Sequence, residues 1–442
     1  MKQTSWHVIT SEYPPQAGGV SDYTKLIATE LAAAGDEVHV WCPGDQRTEI
    51  RGQKSEVKMA ASEDQRTEIG EQRSEVRDQR SEVGNGEGPG PKGEGAKGEG
   101  VTVHRELGRF APADLSRTGR RLDQFPAPRR LLVQWVPQGY GYRSMNLPFC
   151  LWLWRRAKLK HDRIELMVHE PFLAFGEGSG KQDMAAAAHR LMVVILLKAA
   201  SHVWVSIPDW ETHLRPFLLG RQKSFSCLPV PSNIPVVDDP DGVARVRAQY
   251  ASVNAPIVGH FGAYDQYMTE LMLELLPSLV NGRDKLSVML IGNGSRELRD
   301  SLIELRPELS EAVRATGTLS ADDISRHISA CDVMLQPYQD GVSGRRTSVM
   351  TALSHGVPVV TNAGKATESC WAESQAMKLT RVGDVSSMVE AARCLLADEA
   401  MRNSMIDLGR KLYRERFSIQ QTISALRRCS PENTWKPSES PA

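Results

Sequence analysis

The chain has no surplus of either charge. Over 442 residues, 54 Lys and Arg face 54 Asp and Glu, a formal net charge of +0. Nucleic acid, which is held by bulk positive charge, is therefore not an expected partner. Long apolar runs are also missing. The longest, Leu191–Leu197, falls far short of the roughly 20 residues that cross a bilayer. Met1–Thr10 has no basic region followed by an apolar stretch, so neither a secreted nor a membrane-spanning chain is expected. The cysteines at 42, 150, 227, 331, 370, 394 and 429 form no C-x-x-C pair. That argues against a zinc ribbon or a thioredoxin-type site and reads as the reduced thiols of a cytosolic protein. No metal site is expected, because His202 and His213 are too far apart for a helical ligand pair. G-x-G-x-x-G is absent, and with it the dinucleotide fingerprint. Gly176–Asp183 (GEGSGKQD) imitates a phosphate loop, but Gln182 stands where Ser or Thr is needed and the glycine spacing is one short.

What is present is ordinary globular material, 40% hydrophobic and 24% charged, enough to bury large cores. One stretch stands apart. From Asp45 to Gly100, pentapeptides of the QRSEV type begin at Gln46, Gln53, Gln65, Gln72 and Gln79, then give way to a Gly-Glu-Lys run. A coiled-coil seam needs two apolar positions per heptad, and these repeats offer one. Residues 45–100 are therefore expected to be a disordered surface insertion, with a partner-docking arm as the alternative.

Outside it, strands alternate with helices. Trp6–Thr10, an amphipathic helix over Asp22–Ala34 closed by Gly35, and Glu37–Cys42 make one βαβ unit. Strands are expected at Leu131–Val136, Glu165–His169 and His202–Ser206. A second series runs Pro256–Gly262, Leu286–Gly292, Asp332–Gln336 and Pro358–Thr361. The fold class is α/β: two Rossmann-like, doubly wound domains facing a cleft. The expected division is 1–44 with 101–235, then 236–400, a helical segment 401–429 that crosses back, and a loose tail 430–442.

Ligands bind such sheets at the carboxyl ends of the strands. Gly18 and Gly19 lie in a loop after the first strand, before a helix N-terminus where a phosphate or sugar could approach; a plain tight turn is the alternative. Gly262, Gly292 and Gly294 sit at strand ends, where either a nucleotide or an ordinary turn would place them.

Cys331–Gly364 (CDVMLQPYQDGVSGRRTSVMTALSHGVPVVTNAG) carries a resemblance. It looks like the C-terminal domain of the retaining GT-B glycosyltransferases of family 4. Aligned on SHGVPVVT, Ser343 and Thr351 occupy the places of that family's two glutamates, one near the donor sugar and one on the ribose. Both can hydrogen-bond but neither carries charge. The family's Arg and Lys after the first strand of this domain are also missing from His260–Glu270. Arg345 and Arg346, with the helix N-terminus beside them, are the expected substitute for holding a diphosphate, and Gly344 is a further donor-binding candidate in the same loop; pairing of the arginines with Asp340 or plain surface exposure is the alternative. MVHEPFLAF resembles the family's strand ending in a cleft-facing histidine, which implies a catalytic role for His169 and, beside it, Glu170. A buried structural histidine remains the alternative.

The resemblance implies transfer of a sugar, with retention, from a nucleotide diphosphate sugar to a hydroxyl of a glycan or lipid-linked acceptor. It implies no cofactor and no metal. A non-catalytic nucleotide-sugar or glycan binder and a nucleotide-sugar epimerase on the same fold stay open. Trp152, Trp154, Arg155 and Arg156 share one short helix, suited either to peripheral contact with the inner membrane face or to core packing with a solvated basic end.

Overall fold

The computed structural model describes residues 4–16, 18–44, 97–98, 100–176, 180–252, 255–281 and 286–428. Almost all of the expected insertion 45–100, and the tail 430–442, lie outside these residues.

The first half builds a sheet from β1 (Ser5–Ile9), β2 (Glu37–Trp41), β3 (Lys97–Gly98), β4 (Val101–His104), β5 (Arg130–Trp135), β6 (Arg163–Val168), β7 (Ala200–Val205) and β8 (Phe225–Cys227). The strand order is β3-β4-β2-β1-β5-β6-β7-β8. Every pairing is parallel except β3 with β4. The second half builds one from β9 (Ile257–Phe261), β10 (Ser287–Ile291), β11 (Val313–Ala315), β12 (Val333–Gln336), β13 (Val359–Ala363) and β14 (Lys378–Arg381). Its order is β11-β10-β9-β12-β13-β14, parallel throughout. Strands such as RLLVQW and SVMLI are buried at every position. Helices cover both faces, and a continuous apolar run is what such a strand requires.

The helices are α1 (Gly19–Ala33), α2 (Pro112–Leu122), α3 (Leu147–Leu159), α4 (Gly180–Ala199), α5 (Pro208–Leu214), α6 (Pro240–Tyr250), α7 (Gln266–Val280), α8 (Ser295–Leu305), α9 (Ala321–Ser329), α10 (Thr347–His355), α11 (Ser369–Ser374), α12 (Val385–Ala397), α13 (Glu399–Leu412) and α14 (Ile419–Arg428). β1 lies between β2 and β5, and β9 between β10 and β12. The crossovers reverse beside β1 and beside β9, and beside β9 a crevice opens at the strand carboxyl ends.

α14 leaves the second domain and packs on the first. Leu426 is fully buried among Trp6, Tyr23 and Ile27. Arg130 stacks 3.6 Å over Trp6, pairs with the buried Glu165 at 2.5 Å, and donates to the Leu426 carbonyl at 2.6 Å. Arg427 meets Asp36 at 3.2 Å.

α3 corrects one expectation. Arg156 is not presented to any surface: it is buried, with Nε 2.5 Å from Asp162 and a terminal nitrogen 2.9 Å from Asp123. Trp152 is half-buried near that guanidinium. The outward side of α3 carries Leu151, Trp154, Arg155, Lys158 and Leu159. The helix therefore divides its aromatic and basic residues between core and solvent. No helix among the described residues is long and apolar enough to cross a membrane.

Candidate active site

A crevice of about 1060 Å³ in the second domain opens where β9 and β12 part. The segment after β9 (His260, Phe261, Gly262, Tyr267) forms one wall, and the segment after β12 (Gln336 to Asp340) with the start of α10 forms another. Lys365, just beyond β13, completes the rim.

Its electrostatics are set by five charged groups. Arg345, Arg346 and Lys365 supply positive charge, and Asp265 and Asp340 supply negative. Asp265 accepts the Met268 N–H at 2.9 Å and so caps α7. Asp340 takes both arginines, Arg345 at 2.6 Å and Arg346 on its other oxygen. Burial would push the Asp340 carboxyl up, but Arg346 and Arg345 outweigh it and hold it below its ordinary value. Arg346 also lies 4.5 Å over the Tyr338 ring. α10 begins at Thr347 with no side chain capping it, so the positive end of a nine-residue helix points into the same space. Three cationic side chains against two carboxylates, beside an open helix N-terminus, leave the crevice with one positive charge in surplus.

The floor is different in character. His260 and Gln336 are almost fully buried, and among the described residues His260 Nδ1 and Gln336 Nε2 have no hydrogen-bond partner. Burial pushes the His260 imidazole down to about 3, so the ring is neutral at pH 7. A ligand group with hydroxyls or amide edges would satisfy both atoms.

Among the expected donor residues, Gly262, Arg345 and Arg346 line this crevice and Gly344 adjoins it. The Gly344 N–H donates to Glu368 Oε1 at 3.0 Å, and its carbonyl accepts from Val230 N at 3.0 Å, tying the arginine loop to the first domain. Ser343 and Thr351 do not reach the crevice. Both are fully buried; Thr351 Oγ1 donates to the Thr347 carbonyl at 2.9 Å and meets Ser232 Oγ at 3.1 Å. Gly292 and Gly294 are turn residues. At Gly292, φ is +118° and a Cβ would stand 2.9 Å from the Gly262 carbonyl oxygen; Gly294, φ +83°, precedes α8. Lys365 and the floor pair His260 and Gln336 escaped sequence reasoning. The lysine follows a strand end with no motif around it. The pair is legible only once β9 and β12 are known to be neighbours.

The loop of Gly18 and Gly19 holds a second correction. The first N–H groups of α1 are not open to a phosphate, because Val20 N and Ser21 N both donate to Glu12 Oε1, at 3.1 and 3.0 Å. A Cβ at Gly18 would collide with that carboxylate. Gly18 makes room for the chain's own anion, and Gly19 faces open space. Glu12→Ala should therefore cost about 1 kcal/mol, as removal of a helix cap does. Glu12→Gln, which keeps one acceptor oxygen, should recover part of it; equal melting temperatures for wild type and Glu12→Ala would refute the capping role.

His169 and Glu170 lie across the domain boundary and do not line the crevice. His169 Nε2–H donates to Gln134 Oε1 at 2.8 Å, its ring meets Tyr23 edge-on at 4.9 Å, and its carbonyl accepts from Trp210 Nε1 at 2.9 Å. Burial pushes its imidazole down to about 4. Glu170 accepts from Gln138. The Arg345 guanidinium stands 5.5 Å over Trp210, so a single tryptophan separates His169 from the crevice's arginines. Among the described residues, no group of three or more His, Cys, Asp or Glu could hold a metal ion.

Residues 255–398, the domain that carries the crevice, match the family model described as Glycosyl transferases group 1. No curated protein matches the chain in sequence. Solved structures match almost its whole length. The sucrose-phosphate synthase of Thermosynechococcus elongatus has 16% identity and a TM-score of 0.65, with 96% of this chain and 98% of that one covered. HepE of Anabaena, in complex with UDP and glucose, has 14% identity and a TM-score of 0.61, with the same coverage of 96% and 98%. A glycosyltransferase from Rickettsia africae ESF-5 has 10% identity and a TM-score of 0.66, with 97% of each chain covered. At such identities the likeness establishes architecture. The fold is GT-B.

Proposed function

We propose that the protein is a retaining, metal-independent glycosyltransferase that takes a nucleotide diphosphate sugar in the crevice of its second domain. The observation that carries this reading is the convergence of Arg345, Arg346 and Lys365 on the uncapped start of α10, within the segment that matches a glycosyltransferase family model. A diphosphate brings about two negative charges, which these groups would compensate without a metal ion. The neutral floor formed by His260 and Gln336 would take uncharged hydroxyl or base edges.

In the reaction, the bond between the sugar's anomeric carbon and the phosphate oxygen breaks as the acceptor hydroxyl attacks from the same face. The acceptor's proton passes to the departing diphosphate oxygen. Both carboxylates of the crevice, Asp265 and Asp340, are already engaged, which suits a route that needs no protein base. His169, neutral and one tryptophan away from Arg345, would position the sugar from the first domain. The acceptor, a glycan or a lipid-linked sugar, would enter from that side, with Trp154 and Arg155 remaining for contact with a membrane surface. The cysteines, six of which are free thiols, suit a reducing, cytoplasmic location.

The buried Ser343 and Thr351 favour a rival, a non-catalytic binder of the same nucleotide sugars. A melting panel with UDP, GDP, ADP, dTDP and their sugars, without metal, tests the shared premise. A ligand at a hundred times its dissociation constant should stabilise the protein by about 2.7 kcal/mol. A selective shift followed by acceptor-dependent release of nucleotide supports the transferase. A shift without turnover on any acceptor supports the binder, turnover without acceptor an epimerase, and no shift at all removes the donor site.

A further inference from the structure

The outer edge of the second sheet carries another basic hollow, of about 410 Å³, between the end of α6, α8 and β11. Tyr250, Arg296, Arg299, Asp300 and Arg314 line it. β10 separates it from β9 and hence from the crevice described above. Each arginine is held by a backbone carbonyl: Arg296 by Thr316 at 3.0 Å, Arg299 by Val313 at 3.0 Å and Arg314 by Ser310 at 2.6 Å. The one carboxylate among the described lining residues, Asp300, meets Arg299 at 3.4 Å and is 74% exposed. Arg296 and Arg314 have no acidic partner within ion-pair distance among the described residues.

Three guanidiniums against one carboxylate leave a surplus of two positive charges, matched to a dianion. A surface arginine with no role ordinarily waves in solvent. Here the backbone tethers have already removed most of that freedom, so little is lost when an anion binds. Each guanidinium has five donors in a planar fork, and one tether leaves the rest for the oxygens of a phosphate. Tyr250 adds a hydroxyl donor. Burial raises its phenol above the ordinary value against the opposing pull of Arg296, so it stays protonated at neutral pH. Its ring is braced edge-on by His327 at 5.3 Å. The volume falls within the range of about 300–1,000 Å³ typical of small-ligand sites, larger than a bare phosphate fills.

We propose that this hollow is a second binding site, distinct from the donor crevice, for a phosphate monoester such as a sugar phosphate, with Arg296, Arg299 and Arg314 holding the phosphoryl oxygens and Tyr250 against the sugar. The inference stands whether or not the crevice transfers sugar.

The test uses the full chain carrying Arg345→Ala and Arg346→Ala, which removes the crevice's arginines, titrated calorimetrically with ribose 5-phosphate and, separately, with ribose. One equivalent of the phosphate should bind and the free sugar should not. Adding Arg296→Ala and Arg314→Ala should weaken the phosphate at least tenfold. Should that variant melt early, Arg314→Glu alone, at a side chain with a single backbone bond, reverses one charge and should have the same effect. Absence of binding in the starting protein, or affinity unmoved by both sets of substitutions, overturns the proposal.

Discussion

Alanine at both Arg345 and Arg346 is expected to weaken binding of the preferred nucleoside diphosphate by a hundredfold or more. Hydrogen bonds to charged groups contribute about 1.5–3 kcal/mol each, and two lost together correspond to roughly 10²- to 10⁴-fold in affinity. A second effect adds to the first. Asp340, now paired with both arginines, would face the phosphates unneutralised. The complementary change makes the assignment specific: Asp340→Asn releases both guanidiniums and should tighten the same nucleotide. Calorimetric titration of wild type, the double alanine variant and Asp340→Asn reads all three. Unchanged affinity in the double variant would mean that the diphosphate lies elsewhere, and weaker binding in Asp340→Asn would mean that the carboxylate positions the arginines more than it competes for them.

The second large effect is with acid. Burial pushes the imidazoles of His7 and His260 down to about 3, and those of His104, His169 and His202 down to about 4. Three of the chain's histidines gather on one face of the first sheet. His7 stacks on His39 at 5.2 Å, His39 Nδ1 lies 3.1 Å from His104 Nε2, and Trp41 Nε1 donates to His7 Nδ1 at 3.2 Å. For His7 burial is the largest cause, followed by His39, His104, Arg129 and Arg156. Between these values and about 6.5, the unfolded chain binds protons that the folded chain refuses. The stability these groups contribute is thus complete above pH 6.5 and is lost as pH falls towards 4 and 3. Each such group costs about 1.4 kcal/mol per pH unit in that window, against a total stability of about 5–15 kcal/mol. The melting temperature should fall steeply between pH 6.5 and 4.5, and His7→Gln should flatten the slope. Asp340 and Asp123, both held below their ordinary values, add their loss only below about pH 4. A melting temperature flat from pH 7 to 5 would contradict the account.

Much of this fold is written in apolar runs. β5, β6, β7, β9 and β10 were each legible to within two residues because a strand covered on both faces leaves little choice of side chain. The strands without a sequence signal, β4, β8, β11 and β14, are three or four residues long and lie at or near sheet edges, where too few positions are buried to set a pattern. The crevice was half legible. Arg345 and Arg346 stood out as charges beside a helix start. Ser343, in the loop before α10, and Thr351, on α10, could be aligned but not seen to be buried, since the burial of each depends on tertiary packing. Glu12 is the clearest lesson: eight residues separate it from the Val20 N–H that it caps, and the two glycines between them read equally well as a cradle for a foreign anion.

The return of α14 to the first domain has a mechanical consequence. The polypeptide passes between domains twice, once after β8 and once near Tyr413–Phe417, and the second passage is riveted by Arg130 on Leu426 and Arg427 on Asp36. A body hung from one strand can swing and twist in any direction, whereas one hung from two turns about the line joining them, as a door turns on its pins. Two connections restrict the relative rotation of the halves more than one would, and cutting the chain ahead of Ile419 would remove the second of them together with its contacts to Arg130 and Asp36.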